Sequence, residues 1–232
     1  MSTIAKVHNI FLDAGGIIVD ESEHERIHAE IISRLLVRVK PAYSLKQYWQ
    51  DVAEAVELFV PSVYNYVLWK NTGDIALYNR IKTEYHSAWR AGRTPLSLAR
   101  GIAKVVPQLA RYFKIGILGQ YGDDVKQLLG AHNLLQHFAF QNTQEEYSIT
   151  KPDPRYYEQV VASAKVDPND SVMVGDRVDN DIIPAKAIGM KTIRLIIGTH
   201  RTQRPRTPEE FPDAEIVRIE ELVHVLIPER EP

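Results

Sequence analysis

Cysteine is absent from the 232 residues. That excludes disulfides, thiolate zinc sites, iron–sulfur clusters and cysteine nucleophiles together. Long apolar runs are missing too. None approaches the ~20 residues a membrane-spanning helix needs, so no membrane partner is expected. Neither sign of charge dominates: 28 Lys and Arg stand against 30 Asp and Glu, a formal net charge of −2. Such a surface has no field to gather a polyanion, and nucleic acid is not an expected partner. No Gly-Lys-Ser/Thr phosphate loop occurs, no G-x-G-x-x-G follows a strand, and there is no G-x-S-x-G elbow. Met1–Asn9 offers no basic segment followed by a long apolar stretch. The expectation is therefore no signal peptide and a cytoplasmic location. At ~150 residues per domain, the length suits one large domain or one domain carrying an insertion.

What is present begins with Val7–Leu12, a short apolar run that stops at Asp13-Ala14-Gly15-Gly16. An apolar strand ending in an acid and glycines predicts a buried parallel strand with a ligand-facing loop at its carboxyl end. Helical spacing follows in Ser22–Val39, Leu45–Val60 and Ile75–Trp89, with no alternating strand among them. This predicts an all-helical insertion, residues 21–92, inside a core made of residues 1–20 and 93–232. Its dense tyrosines and tryptophans are expected mainly to fill the helix-bundle core. Thr94-Pro95 predicts an N-cap and first helical turn, with the helix running to about Tyr112. Then strands (Lys114–Leu118, Phe138–Gln141, Ser171–Val174, Lys191–Ile197, Glu215–Val217) alternate with helices (Asp123–Leu129, Pro154–Lys165, Ile182–Ile188, Glu220–Leu226). His200–Pro212, with three prolines, is expected to be a loop. The fold class is α/β: a doubly wound parallel sheet with an inserted helical cap.

Chemistry gathers at the predicted strand ends. Asp13 closes the first strand, Asp176 closes a later one with Asp179-Asn180-Asp181 behind it, and Lys151 stands before a helix. An open α/β sheet brings such loops to one edge. Carboxylates converging there repel one another unless a cation joins them. Oxygen ligands alone suit magnesium, and a lysine suits a phosphoryl group. A carboxylate nucleophile, a hard cation and a lysine together point to phosphoryl transfer through an aspartyl-phosphate.

Phe11-Leu12-Asp13-Ala14-Gly15-Gly16, Ile117-Leu118-Gly119-Gln120, Lys151-Pro152-Asp153-Pro154 and Val174-Gly175-Asp176 with Asp181 resemble the four motifs of the haloacid dehalogenase (HAD) superfamily. The resemblance runs over nearly the whole chain, including a helical cap after the first strand. It implies that Asp13 is nucleophile and metal ligand and that the Gly15 carbonyl is a second ligand. Asp176 then holds Mg2+ directly, and Asp181 anchors the site or orients Lys151. Lys151 neutralises the nucleophile and the transferring group, while Gly119 and Gln120 bind substrate. The implied activity is a Mg2+-dependent hydrolase, a phosphatase acting on a small phosphorylated metabolite, as a monomer or homodimer.

Three positions depart from the family pattern. Gly15 stands where the phosphatases carry an acid/base Asp, Ile17 where they carry Thr, and Gly119 where they carry Ser or Thr. Positioned proton transfer typically contributes 10²–10⁴-fold, so low turnover is implied. Three explanations fit: a substrate with a good leaving group, an acid supplied elsewhere (Asp123, Asp124 or a cap histidine), or a nearly inactive binding protein on the same scaffold. Relatives that cleave phosphonates use a cap lysine; Lys40, Lys46, Lys70 and Lys82 lie in the cap, where a solvated face is the plainer reading. One further motif competes. His24-Glu25-Arg26-Ile27-His28 matches H-E-x-x-H, the pattern of a zinc peptidase. Arg26 beside a cationic metal and the lack of a third ligand argue against it.

Overall fold

The computed structural model describes residue 4 and residues 7–119, 122–141 and 148–227. The chain divides into two compact units. One comprises Met1–Asp20, Leu96–Arg201 and Pro205–Pro232; the other comprises Glu21–Pro95 and Thr202–Arg204. In chain order the regular elements are β1 (Asn9–Leu12), β2 (Val19–Asp20), α1 (Ser22–Val37), α2 (Leu45–Glu57), α3 (Val63–Thr72), α4 (Ile75–Gly92), β3 (Ser97–Leu98), α5 (Ile102–Leu109), β4 (Lys114–Ile117), α6 (Asp123–Ala131), β5 (Phe138–Phe140), α7 (Pro154–Ala164), β6 (Ser171–Gly175), α8 (Ile183–Ala187), β7 (Lys191–Leu195), β8 (Ala214–Ile216) and α9 (Glu221–Leu226).

Six strands form one parallel sheet in the order β5-β4-β1-β6-β7-β8. The short apolar runs are strands because both faces of the sheet are covered. Ile10, Leu12, Ile115, Val172 and Val174 join the cluster formed with Ile102 and Val106 of α5, Leu129 of α6 and Leu222 of α9. Phe11 and Met173, at the alternate positions, pack with Tyr156, Tyr157 and Val160 of α7 and Ala185 of α8. Gly116 is needed for this packing: a Cβ there would stand 2.8 Å from the Phe11 ring. The chain builds outward from β1 to β4 and β5, then crosses back to β6 on the other side. That reversal makes the carboxyl ends of β1 and β6 the place where this fold class receives ligands.

The second unit is helical. Ser44, Ser62 and Asp74 cap α2, α3 and α4 through bonds from the amides of Gln47, Asn65 and Leu77. Ile32, Leu36, Val52, Ala55, Val67 and Ile81 fill its core. Tyr43, Tyr48 and Tyr85 are buried there as the composition predicts, but Trp49 and Trp69 are exposed.

One expectation fails. No helix starts at Thr94-Pro95. Ser97–Leu98 instead pairs antiparallel with Val19–Asp20, and the Ala99 amide bonds the Ile18 carbonyl at 2.8 Å. This ladder competes with a cap and wins, so α5 begins only after Gly101, whose φ of +90 suits glycine. The helix α3 escapes the periodicity reading because its apolar residues surround it instead of forming a stripe. The predicted loop at 200–212 contains two single 3-10 turns, Thr199–Thr202 and Pro208–Glu210.

Candidate active site

Asp13 leaves the end of β1, where its amide bonds the Val174 carbonyl of β6 at 2.9 Å. Asp176 follows the last residue of β6. Their two loops are therefore neighbours because their strands are. Asp181 comes from a π-helical turn, Val178–Ile182, that precedes α8. The turn brings Asp181 back against its own strand: a Cβ on Gly175 would stand 2.4 Å from the Asp181 Cγ. Glycine at 175 is thus a steric condition for Asp181 to sit there. The Arg177 amide donates to Asp181 Oδ2 at 3.0 Å. Gly16, with φ +70, lets the first loop turn close to Asp176.

Lys151, just ahead of the Asp153 cap and Pro154 that open α7, joins the cluster. Its ammonium donates to Asp13 Oδ1 at 2.8 Å and to Asp181 Oδ1 at 2.7 Å, and its side chain is fully buried. Burial alone would push the Lys151 pKa down. The Asp13 and Asp181 carboxylates outweigh it and hold the pKa well above the ordinary lysine value. The ammonium also stands 5.7 Å from the Tyr157 ring centroid, and burial raises the Tyr157 phenol well above its usual range. Lys151 is therefore a fixed cation here, not a proton donor.

Carboxylate oxygens of Asp13, Asp176 and Asp181 lie within 4.8 Å of one another. Among the described residues this is the one group of three or more potential metal ligands. Three carboxylates to one ammonium leave formal negative charge in a buried place, and the donors are all hard oxygens. That donor set fits a cation of the magnesium class.

The other expected residues fall as follows. Gly119 is buried, and its carbonyl accepts from the Tyr156 hydroxyl at 3.0 Å. A Cβ on it would meet the Ala14 Cβ at 2.6 Å and the Ala14 amide nitrogen at 2.7 Å. The missing hydroxyl at 119 is thus a packing feature: no side chain fits. Gln120 lies outside the described residues. Asp123 and Asp124 are exposed in the first turn of α6, where Asp123 pairs with Lys126 at 3.4 Å and Asp124 bonds the next amide. Asp179 forms a two-pronged pair with Arg177 at 2.7 and 3.1 Å.

His24 and His28 are on α1 but belong to no metal-ligand group among the described residues. His24 Nε2 is 2.9 Å from the Thr94 carbonyl oxygen. His28 is packed between Trp89 and Tyr64, with ring centroids 3.8 and 4.0 Å away, and its Nδ1 bonds the Tyr85 hydroxyl. Burial pushes the His28 pKa down to about 3, so the ring is neutral. Lys40 and Lys70 bond Asn71 and Asp51 of their own unit. Two further residues bear on the site: Gly175, which stands in the fourth motif and admits Asp181, and Arg194, which the sequence pattern does not single out and which is fully buried in β7.

Residues 10–195 match the family model of haloacid dehalogenase-like hydrolases. The chain belongs to this family. It is similar to a glyceraldehyde 3-phosphate phosphatase of Methanopyrus kandleri, 34% identical over 53% of this chain and 54% of the relative. That match spans about half the relative's length. Similarity to the enzyme of the same name from Pyrococcus furiosus is lower, 23%, but covers 95% of this chain and 93% of that one. Among solved structures, a predicted phosphoglycolate phosphatase from Haemophilus somnus superposes with a TM-score of 0.68 at 15% identity, covering 97% and 99% of the two chains. The HAD-hydrolase YfnB from Bacillus subtilis, solved with magnesium bound, gives 0.64 at 18% identity, covering 96% and 99%.

Proposed function

We propose that the protein is a magnesium-dependent phosphatase acting on a small phosphorylated metabolite. The observation that carries this reading is the meeting of Asp13, Asp176, Asp181 and Lys151 at the switch point of the sheet. Relatives named as glyceraldehyde 3-phosphate phosphatases support the substrate class. Asp13, Asp176 and the Gly15 carbonyl would hold the magnesium ion. When bound, the ion neutralises the carboxylates and draws charge from the phosphoryl oxygens.

A carboxylate oxygen of Asp13 attacks phosphorus. The bond from phosphorus to the leaving oxygen breaks, and that oxygen takes the electron pair. Water then cleaves the aspartyl-phosphate, releasing phosphate and restoring the Asp13 carboxylate. Lys151 stabilises charge on Asp13 and on the phosphoryl group through both stages, while Asp181 holds the ammonium in place. Gly15 brings no side chain to protonate the leaving group, so substrates with acidic leaving groups, such as acyl or aryl phosphates, turn over fastest. On this reading the helical insertion, residues 21–92, is a cap domain.

The test is phosphate release from sugar phosphates, acyl phosphates and an aryl phosphate, with and without magnesium, beside an Asp13→Asn control. Release that requires both magnesium and Asp13 is expected. Release no greater than in the control would leave the second reading, favoured by Gly15 itself: a binding protein on a phosphatase scaffold.

A further inference from the structure

Arg194 stands fourth in β7 and none of its side chain is exposed. A guanidinium so deep in a parallel sheet is costly unless its donors are met. Two of the groups that meet them are backbone carbonyls. Nε donates to the Asp176 carbonyl at 3.1 Å and Nη2 to the His200 carbonyl at 2.9 Å, while Nη1 reaches the half-exposed Glu215 carboxylate at 3.4 Å. In the ladder Arg194 pairs with Gly175, the residue before Asp176. One planar fork thus fastens the chain at Asp176 to the turn at Thr199–Thr202. A lysine lacks the fork needed to bridge two carbonyls in fixed directions.

We infer that Arg194 is the positioning residue for Asp176: by gripping its carbonyl it fixes the backbone from which the carboxylate projects, and so sets the affinity of the site for a divalent cation. This inference rests on reading Asp176 as a metal ligand. Partners one step removed from a metal ligand typically matter 10–100-fold for metal affinity or activity. A merely structural arginine would lower thermal stability and leave the affinity of the folded protein unchanged.

The experiment measures magnesium binding to the full chain by isothermal titration calorimetry, with thermal melts alongside. The variants are Arg194→Met, Arg194→Lys and Glu215→Gln. Arg194→Met is expected to bind magnesium about 10- to 100-fold more weakly, and Arg194→Lys to recover part of the loss. Glu215→Gln removes only the half-exposed partner and is expected to stay within about twofold of the parent. Folded Arg194→Met with parental affinity overturns the inference. A parent that binds no magnesium overturns the metal reading of Asp176 itself, a separate failure. If both arginine variants fail to fold, a crystal structure of the unsubstituted protein with magnesium decides. The guanidinium on the Asp176 carbonyl, with the Asp176 carboxylate on the ion, supports the inference; a guanidinium turned away from that carbonyl overturns it.

Discussion

Each unit holds a lysine between two carboxylates, and the two clusters are built to different ends. In the helical unit Lys70 pairs with Asp51 at 2.8 Å and with Glu54. The buried Asp51 also accepts from the Tyr43 hydroxyl at 2.9 Å, Gln47 at 3.0 Å and Asn71 at 2.7 Å. Every partner comes from α2, α3 or the turn just before them. Four donors meet one carboxylate, and the cluster is a strut between neighbouring helices. In the sheet unit Lys151 is drawn from 138 residues away to meet Asp13 and from 30 away to meet Asp181. There a third carboxylate, Asp176, crowds in. The same pairing of charges is thus a local fastening in one unit and, in the other, part of a larger cluster of negative charge assembled by topology. The third carboxylate is what separates the proposed cation site from the strut.

The contrast is broken or sharpened most strongly by removing each lysine in turn. Lys151→Met strips the cation from a buried cluster and leaves its carboxylates facing one another. The expected loss is about 3–5 kcal/mol in urea unfolding, the range for breaking a buried pair from one side. Lys70→Met is expected to cost about 1 kcal/mol or less. Its side chain is a third exposed, where ion pairs contribute little, and Asp51 keeps three neutral donors. Equal losses in the two variants would mean that the clusters do the same work.

A second test bears on the glycines that let the sheet unit's loops converge. Gly119→Ser returns the hydroxyl that the family pattern carries at this position. The approach of Ala14 leaves no room for its Cβ, so overpacking of about 1–3 kcal/mol is expected, with phosphate release falling, not rising. Paired Ala14→Gly with Gly119→Ser is expected to recover part of both. A gain of activity in the single variant would show that the loop yields at little cost.

Much of the sheet unit was legible because its signals are local. The run Val7–Leu12 stops at Asp13, and Asp153-Pro154 carries its own cap, so strand, loop and helix declare themselves within a few residues. The convergence of Asp13, Asp176 and Lys151 follows from one rule about strand ends. The steric facts were not legible. Nothing local says that Gly119 touches Ala14, that Gly175 makes room for Asp181, or that Arg194 reaches the Asp176 carbonyl just past the end of β6. These depend on register between distant segments. In the helical unit α3 has no stripe to betray it. The pull of β2 on Ser97–Leu98 defeats a sound local signal at Thr94-Pro95. His24 and His28 show the converse, where a motif legible in sequence dissolves once Trp89, Tyr64 and Tyr85 surround the second histidine.

The gentlest test asks how far the strut owes its strength to charge. Burial alone would raise the Asp51 carboxyl pKa, but hydrogen bonds from Lys70, Asn71, Gln47 and Tyr43 outweigh it and hold the pKa below the ordinary value. A carboxyl depressed on folding contributes stability that is present above its unfolded pKa of about 3.9 and disappears as pH falls through the lower, folded value. Asp51→Asn keeps the shape and removes the titration. At pH 7 it is expected to cost about 1 kcal/mol; as pH falls below the unfolded value toward the lower, folded one, the difference from the parent shrinks. Thermal melts from pH 7 down to pH 2.5 would show the two curves approaching from the neutral side. Curves that stay parallel would mean that Asp51 serves through shape and neutral hydrogen bonds alone. The strut would then differ from the cluster around Lys151 in kind, not in degree of charge compensation.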